Sequence, residues 1–337
     1  MDTLILNENQ IDETVDLLKK GEIVAIPTET VYGIAADAFN ITAVEKIFKA
    51  KGRPNDNPLI VHIANMEDLF SLVTHVPKKA KILAEKFWPG PLTMIFHKNK
   101  LIPYIVTAGL DYVAIRLPYC DVARKIISKL GRPLAAPSAN LSGKPSPTNY
   151  KHVLNDLNGK ISAILKGDKC SIGIESTVID LTSDNVILLR PGKITPNDIS
   201  KAINEDVIID EHVNHMVSTD GKVCSPGIKY KHYSPNTKLV LVRSSQKDFI
   251  RFVNSKTNCV VVCFEEDLEF IQLPAISYGK KFSFDDQSRR LFSVLREIDL
   301  YNAKLAYIRI AEKDINLAIF NRLLRAAEFQ IIDNPQI

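Results

Sequence analysis

The chain has no CxxC pair, no GxxxxGK loop ending in Ser or Thr, no GxGxxG turn and no run of about 20 apolar residues. Five cysteines, at positions 120, 170, 224, 259 and 263, are an odd number without paired spacing. They argue against a disulfide framework and a structural zinc site, and they suit a reducing compartment. Without a P-loop or a dinucleotide fingerprint, any phosphate must be held by dispersed basic and hydroxyl groups. The opening MDTLILNENQIDETV lacks a basic stretch followed by an apolar one, so a soluble, cytoplasmic protein is expected. A large charge of one sign is missing too. Lys and Arg number 43 against 39 Asp and Glu, a net +4, which fits an anionic ligand but is too mild for a dedicated nucleic-acid domain.

What is present is ordinary globular material. The 337 residues are 45% hydrophobic and 24% charged, enough for two domains with a core each. Apolar spacing predicts a helix over 10–20, stopped at Gly21, then a buried strand in EIVAIPT that ends at Pro27. Further helices are predicted over 42–51, 77–87 and 121–130, the last two opened by Pro77 and Asp121 and the last closed by Gly131. Strands are predicted at 58–64, 92–97 and 112–118, with shorter ones in PLAAPSAN, AILKG, STVIDLT and VILLRPG. Strands outnumber helices without strict alternation, so a twisted mixed sheet with flanking helices is expected. From about Asp206 to Asn236 the periodicity fades, and residues 221–247 carry six basic residues and no acidic one. Beyond it KLVLVR, NCVVVCF and KLAYIRI alternate with helical stretches near 246–256, 285–301 and 315–328, predicting a small parallel sheet flanked by helices. The expected division is a first domain over 1–205, a linker or lid over 206–237 and a second domain over 238–337.

Three polar clusters fall at predicted strand ends: Pro27–Gly33, Lys51–Pro54 and Pro137–Gly143. Lys51 and Arg53 set a point charge beside a planar fork, a combination suited to polyphosphate, although such triplets are usually solvated charge. Ser138 and Asn140 alternate across Ala139, so an extended backbone would aim both at one ligand; a simple Ser or Asx turn is the plainer alternative. His62 sits in an apolar strand, where histidine is more often a satisfied core residue. Arg116, flanked by apolar residues in VAIRLP, needs an anion, either Glu29 or Glu175 or a substrate carboxylate. Glu175-Ser176-Thr177 and Arg190-Pro191-Gly192 again put polar groups at strand termini. His212 and His215 have no matching Cys or Glu spacing and read as solvated surface, while Cys259 and Cys263 read as core.

The segments PTETVYGIAADA (27–38), KGRPNDNPLIVH (51–62), FWPGPLT (87–93), IRLP (115–118), APSANLSGKPSPT (136–148), ESTVID (175–180), LRPG (189–192) and SPGIKYKHYSP (225–235), in this order, closely resemble the Sua5/YrdC family. The linker and the appended α/β unit are similar to the longer Sua5 type. That resemblance implies a YrdC-like catalytic domain followed by a Rossmann-like one. It also implies the synthesis of threonylcarbamoyl-AMP from L-threonine, bicarbonate and ATP with release of pyrophosphate, for N6-threonylcarbamoyladenosine in tRNA. Carried onto this chain, it places Thr30, His62, Arg116 and Ser176 around threonine. It places Lys51, Arg53, Asn57, Ser138, Asn140, Ser146, Arg190, Ser225 and Tyr230 on ATP, with Lys229 and His232 in the same linker lid. Lys51, Arg53, Ser138 and Asn140 form the catalytic set, Mg2+ comes bound with ATP, and a downstream tRNA threonylcarbamoyltransferase takes the product. Ile34-Ala35 departs from the Leu-Gly that the resemblance leads one to expect, and alanine tolerates positive φ poorly. Two alternatives resemble other members of the same superfamily: a module that binds double-stranded RNA weakly, and a carbamoyl-phosphate-using hydrogenase-maturation enzyme, whose zinc-finger and acylphosphatase modules are missing here.

Overall fold

The computed structural model describes residues 2–213, 232–313 and 315–335. The chain divides into two compact units, one of Met1–Ser142, Ser146–Ser171 and Glu175–Lys229, the other of Gly143–Pro145, Ile172–Ile174 and Tyr230–Ile337. The strands are β1 (Leu4–Leu6), β2 (Val24–Ile26), β3 (Gly33–Asp37), β4 (Ile60–His62), β5 (Leu92–His97), β6 (Tyr112–Arg116), β7 (Leu134–Ala135), β8 (Ala163–Leu165), β9 (Thr177–Asp180), β10 (Val186–Arg190) and β11 (Val207–Ile209), then β12 (Lys238–Arg243), β13 (Cys259–Cys263), β14 (Ala275–Ser277), β15 (Leu305–Ile310) and β16 (Ile331–Asp333). The helices are α1 (Ile11–Lys19), α2 (Ile41–Lys51), α3 (Met66–Leu72), α4 (Lys78–Phe87), α5 (Asp121–Leu130), α6 (Tyr150–Leu157), α7 (Pro196–Ile203), α8 (Gln246–Asn254), α9 (Phe284–Glu297) and α10 (Leu317–Ala326).

In the first unit eleven strands form one mixed sheet in the order β1-β8-β2-β3-β7-β4-β6-β5-β9-β10-β11. Helices α1 and α5 pack together. Val15 and Leu18 of α1, with Ile126 and Ile127 of α5, meet Leu6, Ile26, Leu134 and Leu165 from the sheet in one core. Each such side chain taken fully out of water contributes roughly 1.5–3 kcal/mol. A second cluster, Ile60, Ile95, Ala114, Val178 and Leu189, lies on the β4–β6–β5–β9–β10 portion.

Helix α2 shows how sequence sets the path of the chain. Asn40 caps its start by accepting the Ala43 amide, and Gly52 ends it with φ +59 in the left-handed region. Gly52 N donates to Lys49 O and Arg53 N to Phe48 O, the paired bonds of a Schellman ending. That turn leaves Lys51 on the buried side and sends Arg53 into the next loop.

Most predicted elements lie within two or three residues of their expected bounds. The structure adds β1, β3, α3, α6, α7, β11, β14 and β16. The segment read as linker from 206 opens with β11, paired in parallel with β10. PLAAPSAN holds only a two-residue strand. Ala35 is extended within β3 and pairs with Val24, so it meets no left-handed requirement. His212 is paired with Asp210 at 2.8 Å, and His215 falls outside the described residues.

The second unit is a five-stranded parallel sheet in the order β14-β13-β15-β12-β16, as expected of a Rossmann-like unit. Cys259 and Cys263 are buried in β13, and burial pushes the Cys263 thiol up to about 12. Leu291, Leu295 and Ile298 are buried along one side of α9 and the short turn that continues it. Among the described residues, no helix is long and apolar enough to cross a membrane.

Candidate active site

The registers align the polar residues. His62 stands beside Arg116 in the parallel β4–β6 pair, and Met94 opposite Ile115 puts Thr93 opposite Arg116 in the β5–β6 pair. Thr93 aligns with Val178 of β9, and Val178 with Arg190 of β10 across a register shift after Leu188, where the bond from Arg190 Nη2 to Ser176 Oγ fixes the side of the sheet. Side chains in one such row share a face of the sheet. His62, Arg116, Thr93 and Arg190 therefore form a polar band at the ends of their strands, while two residues back the same face carries apolar Ile60, Ala114 and Ile95.

Arg116 settles its partner as Glu29. Its Nη2 lies 2.6 Å from Glu29 Oε1, with both side chains about 95% buried. Nη1 donates to Thr30 Oγ1 at 2.9 Å and Nε to Gly90 O at 3.2 Å. Only Nη1 and Nε donate hydrogen bonds; Nη2 meets Glu29 as an ion pair and is buried without a hydrogen-bond partner. Thr28 Oγ1 accepts the Thr30 and Val31 amides, folding residues 28–31 into a hydroxyl-held turn that presents Thr30. Glu29 Oε1 also accepts the Tyr119 amide, whereas Glu29 Oε2 is buried without a hydrogen-bond partner.

Ser176 is the hub of the neighbouring strands. Its Oγ lies 2.8 Å from Thr93 Oγ1 and accepts from Arg190 Nη2 at 3.1 Å, while its carbonyl accepts from Arg190 Nε at 3.0 Å. Gly192 makes this possible: a Cβ there would stand 2.4 Å from Thr177 N. The turn after Arg190 packs against Ser176–Thr177 only because residue 192 has no side chain. Ser146 Oγ donates to Glu175 Oε1 at 2.5 Å.

Lys51 does not project into open space. Its ammonium donates to Asn140 O at 2.7 Å and to Ser138 O, and it is almost fully buried. Asn140 N donates to Ser138 O at 3.0 Å. Residues 138–140 are therefore a tight turn around the lysine and not the extended segment that would point Ser138 and Asn140 the same way by alternation. Burial, followed by the neighbouring Arg53 charge, holds the Lys51 pKa well below the usual lysine range.

Backbone bonds knit the two groups together. Tyr32 N donates to Pro147 O and Ala139 N to Tyr32 O, tying Ala139 and Pro147 to the Thr28–Gly33 segment. Arg53 and Asn57 meet each other instead: Arg53 Nη2 donates to Asn57 O and Pro58 O, both at 3.2 Å, and Asn57 Oδ1 is buried without a partner. Ser225, Lys229 and Tyr230 lie outside the described residues. Sequence reasoning did not find Thr93, and its place beside the PGP turn was the available signal. Among the described residues no three His, Cys, Asp or Glu side chains converge as a metal cage.

His62 is buried and its Nδ1 has no hydrogen-bond partner. Desolvation, then the Arg116 charge, lowers its pKa well below 6.5, so it is a neutral imidazole. Between its depressed folded pKa and 6.5 the unfolded chain binds a proton that the folded chain does not, so stability is lost as pH falls below 6.5. We expect Tm to fall more for the native chain than for His62→Gln between about pH 7 and about pH 5. Parallel falls in a thermal-melt series would show that His62 is not buried neutral.

These features define a two-unit α/β protein whose larger sheet gathers cationic, hydroxyl and imidazole groups on one face. The family model Sua5_yciO_yrdC, described as telomere recombination, matches residues 16–192. The model Sua5_C, described as the C-terminal domain of threonylcarbamoyl-AMP synthase, matches residues 194–328. A protein of Bacillus subtilis named threonylcarbamoyl-AMP synthase is 42% identical over 98% of this chain and 96% of its own length. One of Pyrococcus abyssi with the same name is 40% identical over 98% and 99%. The crystal structure of P. abyssi Sua5 complexed with L-threonine superposes with a TM-score of 0.89 at 39% identity, covering 98% of this chain and 99% of that one. The chain belongs to the Sua5/YciO/YrdC family and carries both parts of its Sua5 type.

Proposed function

We propose that this protein is a threonylcarbamoyl-AMP synthase acting on L-threonine, bicarbonate and ATP. The observation that carries the reading is the buried Arg116–Glu29–Thr30 web, with Glu29 Oε2 and His62 Nδ1 buried and unsatisfied beside it. Buried polar atoms without partners are rare in finished structures, and a polar ligand supplies what they lack. The Arg116 Nη2 group, buried without a hydrogen bond, suits the threonine carboxylate, and neutral His62 with Glu29 Oε2 suits its amine and hydroxyl. Ser176, held by Arg190 and Thr93, closes the same side.

The chemistry asks for no protein nucleophile. The threonine amine adds to bicarbonate and water leaves, giving a carbamate. A carbamate oxygen then attacks the α-phosphorus of ATP, and pyrophosphate departs with the electrons of the broken P–O bond. The protein's work is to align these groups and to compensate phosphate charge. Arg53, Asn57, Ser146 and Arg190 are assigned to ATP, as are Ser138 and Asn140 on the turn that Lys51 holds. A polyphosphate arriving near Lys51 favours its protonated form, against the desolvation that now disfavours it. Mg2+ would come with ATP and would compensate phosphate charge; the carboxylates nearest the site, Glu29 and Glu175, are engaged by Arg116 and Ser146 and offer it no dedicated cage. Ser225, Lys229, Tyr230 and His232 are assigned to a lid that excludes water from the labile anhydride. A tRNA threonylcarbamoyltransferase that takes the product, weak contact with RNA, and a cytoplasmic setting complete the reading.

The test is pyrophosphate release from ATP with the full chain, omitting threonine and bicarbonate in turn. Release that needs both supports the reading. Release indifferent to threonine overturns it.

A further inference from the structure

The second unit contains a cavity that the proposed chemistry does not use. In an open parallel sheet, a ligand crevice forms where two adjacent strands send their connections to opposite edges. Here those strands are β13 and β15. After β13 the chain runs to β14 at one edge, and after β15 it runs through α10 to β16 at the other. Their carboxyl ends therefore frame a switch point. A cavity of about 230 Å³ lies there, lined by Phe264, Tyr278 and Ala311, the first residues after β13, β14 and β15. Phe282, Phe284 and Ile319 from the connections above add to its walls, with the polar Lys281 and Asn316 among the remaining lining residues.

We propose that this crevice binds a planar heteroaromatic ligand of nucleobase or nucleoside size. Four aromatic rings meet there, and a nucleobase stacks on such rings regardless of sequence. Phe282 is 85% exposed, although its loop is firmly built: Glu266 accepts the Lys281 amide, and Gln287 Nε2 donates to Lys280 O at 2.7 Å and Lys281 O at 2.8 Å. A held loop that keeps a phenylalanine in water at a cavity mouth has a ready explanation in a ring stacked upon it. Those two bonds also leave Gln287 Oε1 as an acceptor for a ring N–H or amino group, and Gln287 itself lines the cavity. The volume falls below the roughly 300–1,000 Å³ of ordinary ligand pockets, which excludes a dinucleotide. Polyphosphate is excluded as well, because the residues after Phe264 are Glu265, Glu266 and Asp267 where a phosphate cradle needs glycine amides. This site is thus chemically unlike the polyphosphate site assigned to the first unit.

The experiment is methyl NMR of the full-length chain, labelled at isoleucine δ1 and titrated to millimolar concentration with adenosine, guanosine, cytidine and uridine separately. Ile315 and Ile319 line the cavity and should feel the ring current of a stacked base. We expect saturable shifts of these methyls with at least one nucleoside. Phe282→Ala, at an exposed position where folding is not at stake, should weaken binding by about tenfold or more. Ala311→Leu, which fills the cavity, should abolish it. Arg53→Ala should leave it unchanged, which separates this site from the proposed ATP site. Absence of any shift at Ile315 and Ile319, or binding undiminished in Phe282→Ala, overturns the proposal.

Discussion

Arg116→Leu is expected to destabilise the first unit by about 3–5 kcal/mol, because it leaves the Glu29 carboxylate buried without its cation. Both partners are about 95% buried, so solvent screening does little to soften the loss. Trp88 is the only tryptophan, and it lies in this unit with its Nε1 donating to Leu92 O at 2.7 Å. Its fluorescence in urea unfolding therefore reads the relevant transition. The companion variant Glu29→Leu, Arg116→Leu should recover most of the stability, since an apolar pair of similar volume replaces a buried ion pair at little cost. It should recover none of the threonine-dependent activity. A loss below about 1 kcal/mol in the single variant would place the pair in solvent, contrary to the geometry.

Arg53→Ala is expected to reduce threonine-dependent pyrophosphate release by about a hundredfold to a thousandfold, the range for removing one preorganised donor to developing charge. Its folding should hold. The bonds lost include those to two loop carbonyls, Asn57 O and Pro58 O, on the way into β4. The Lys51 ammonium would also lose one of the two influences that depress its pKa. Release at the native rate would remove Arg53 from the site, and a collapse of the Trp88 transition would recast it as a structural residue.

The sequence was most legible where local rules act alone. Helices α2 and α5 announce their ends with Gly52 and Gly131, both in the left-handed region, and the alternating strands and helices after 237 predict a parallel sheet. The missed elements had signals that were passed over: Asn149 caps α6, and Thr195 with Asp198 forms a capping box on α7. Strand β3 was hidden because PTETVYG reads as a polar loop, yet the sheet recruits Gly33–Asp37 between β2 and β7. For the site, the residue types were readable but their relations were not. Whether Glu29 or Glu175 faces Arg116 depends on strand order, and no spacing rule sets β6 between β4 and β5. The Ser138–Asn140 pattern misled for a related reason. Alternation assumes an extended chain, and two carbonyls drawn onto one lysine turn it instead.

The register of the large sheet has a consequence for biosynthesis. Thr30 meets Arg116 across 86 positions, and Ser176 meets Thr93 across 83. Loops that long must close before their contacts repay the entropy, so this half of the molecule assembles slowly. On the ribosome, a nascent chain that ends before Ser176 and Arg190 lacks the wall those two residues supply. The proposed amino-acid subsite is therefore complete only when the tenth strand has left the exit tunnel.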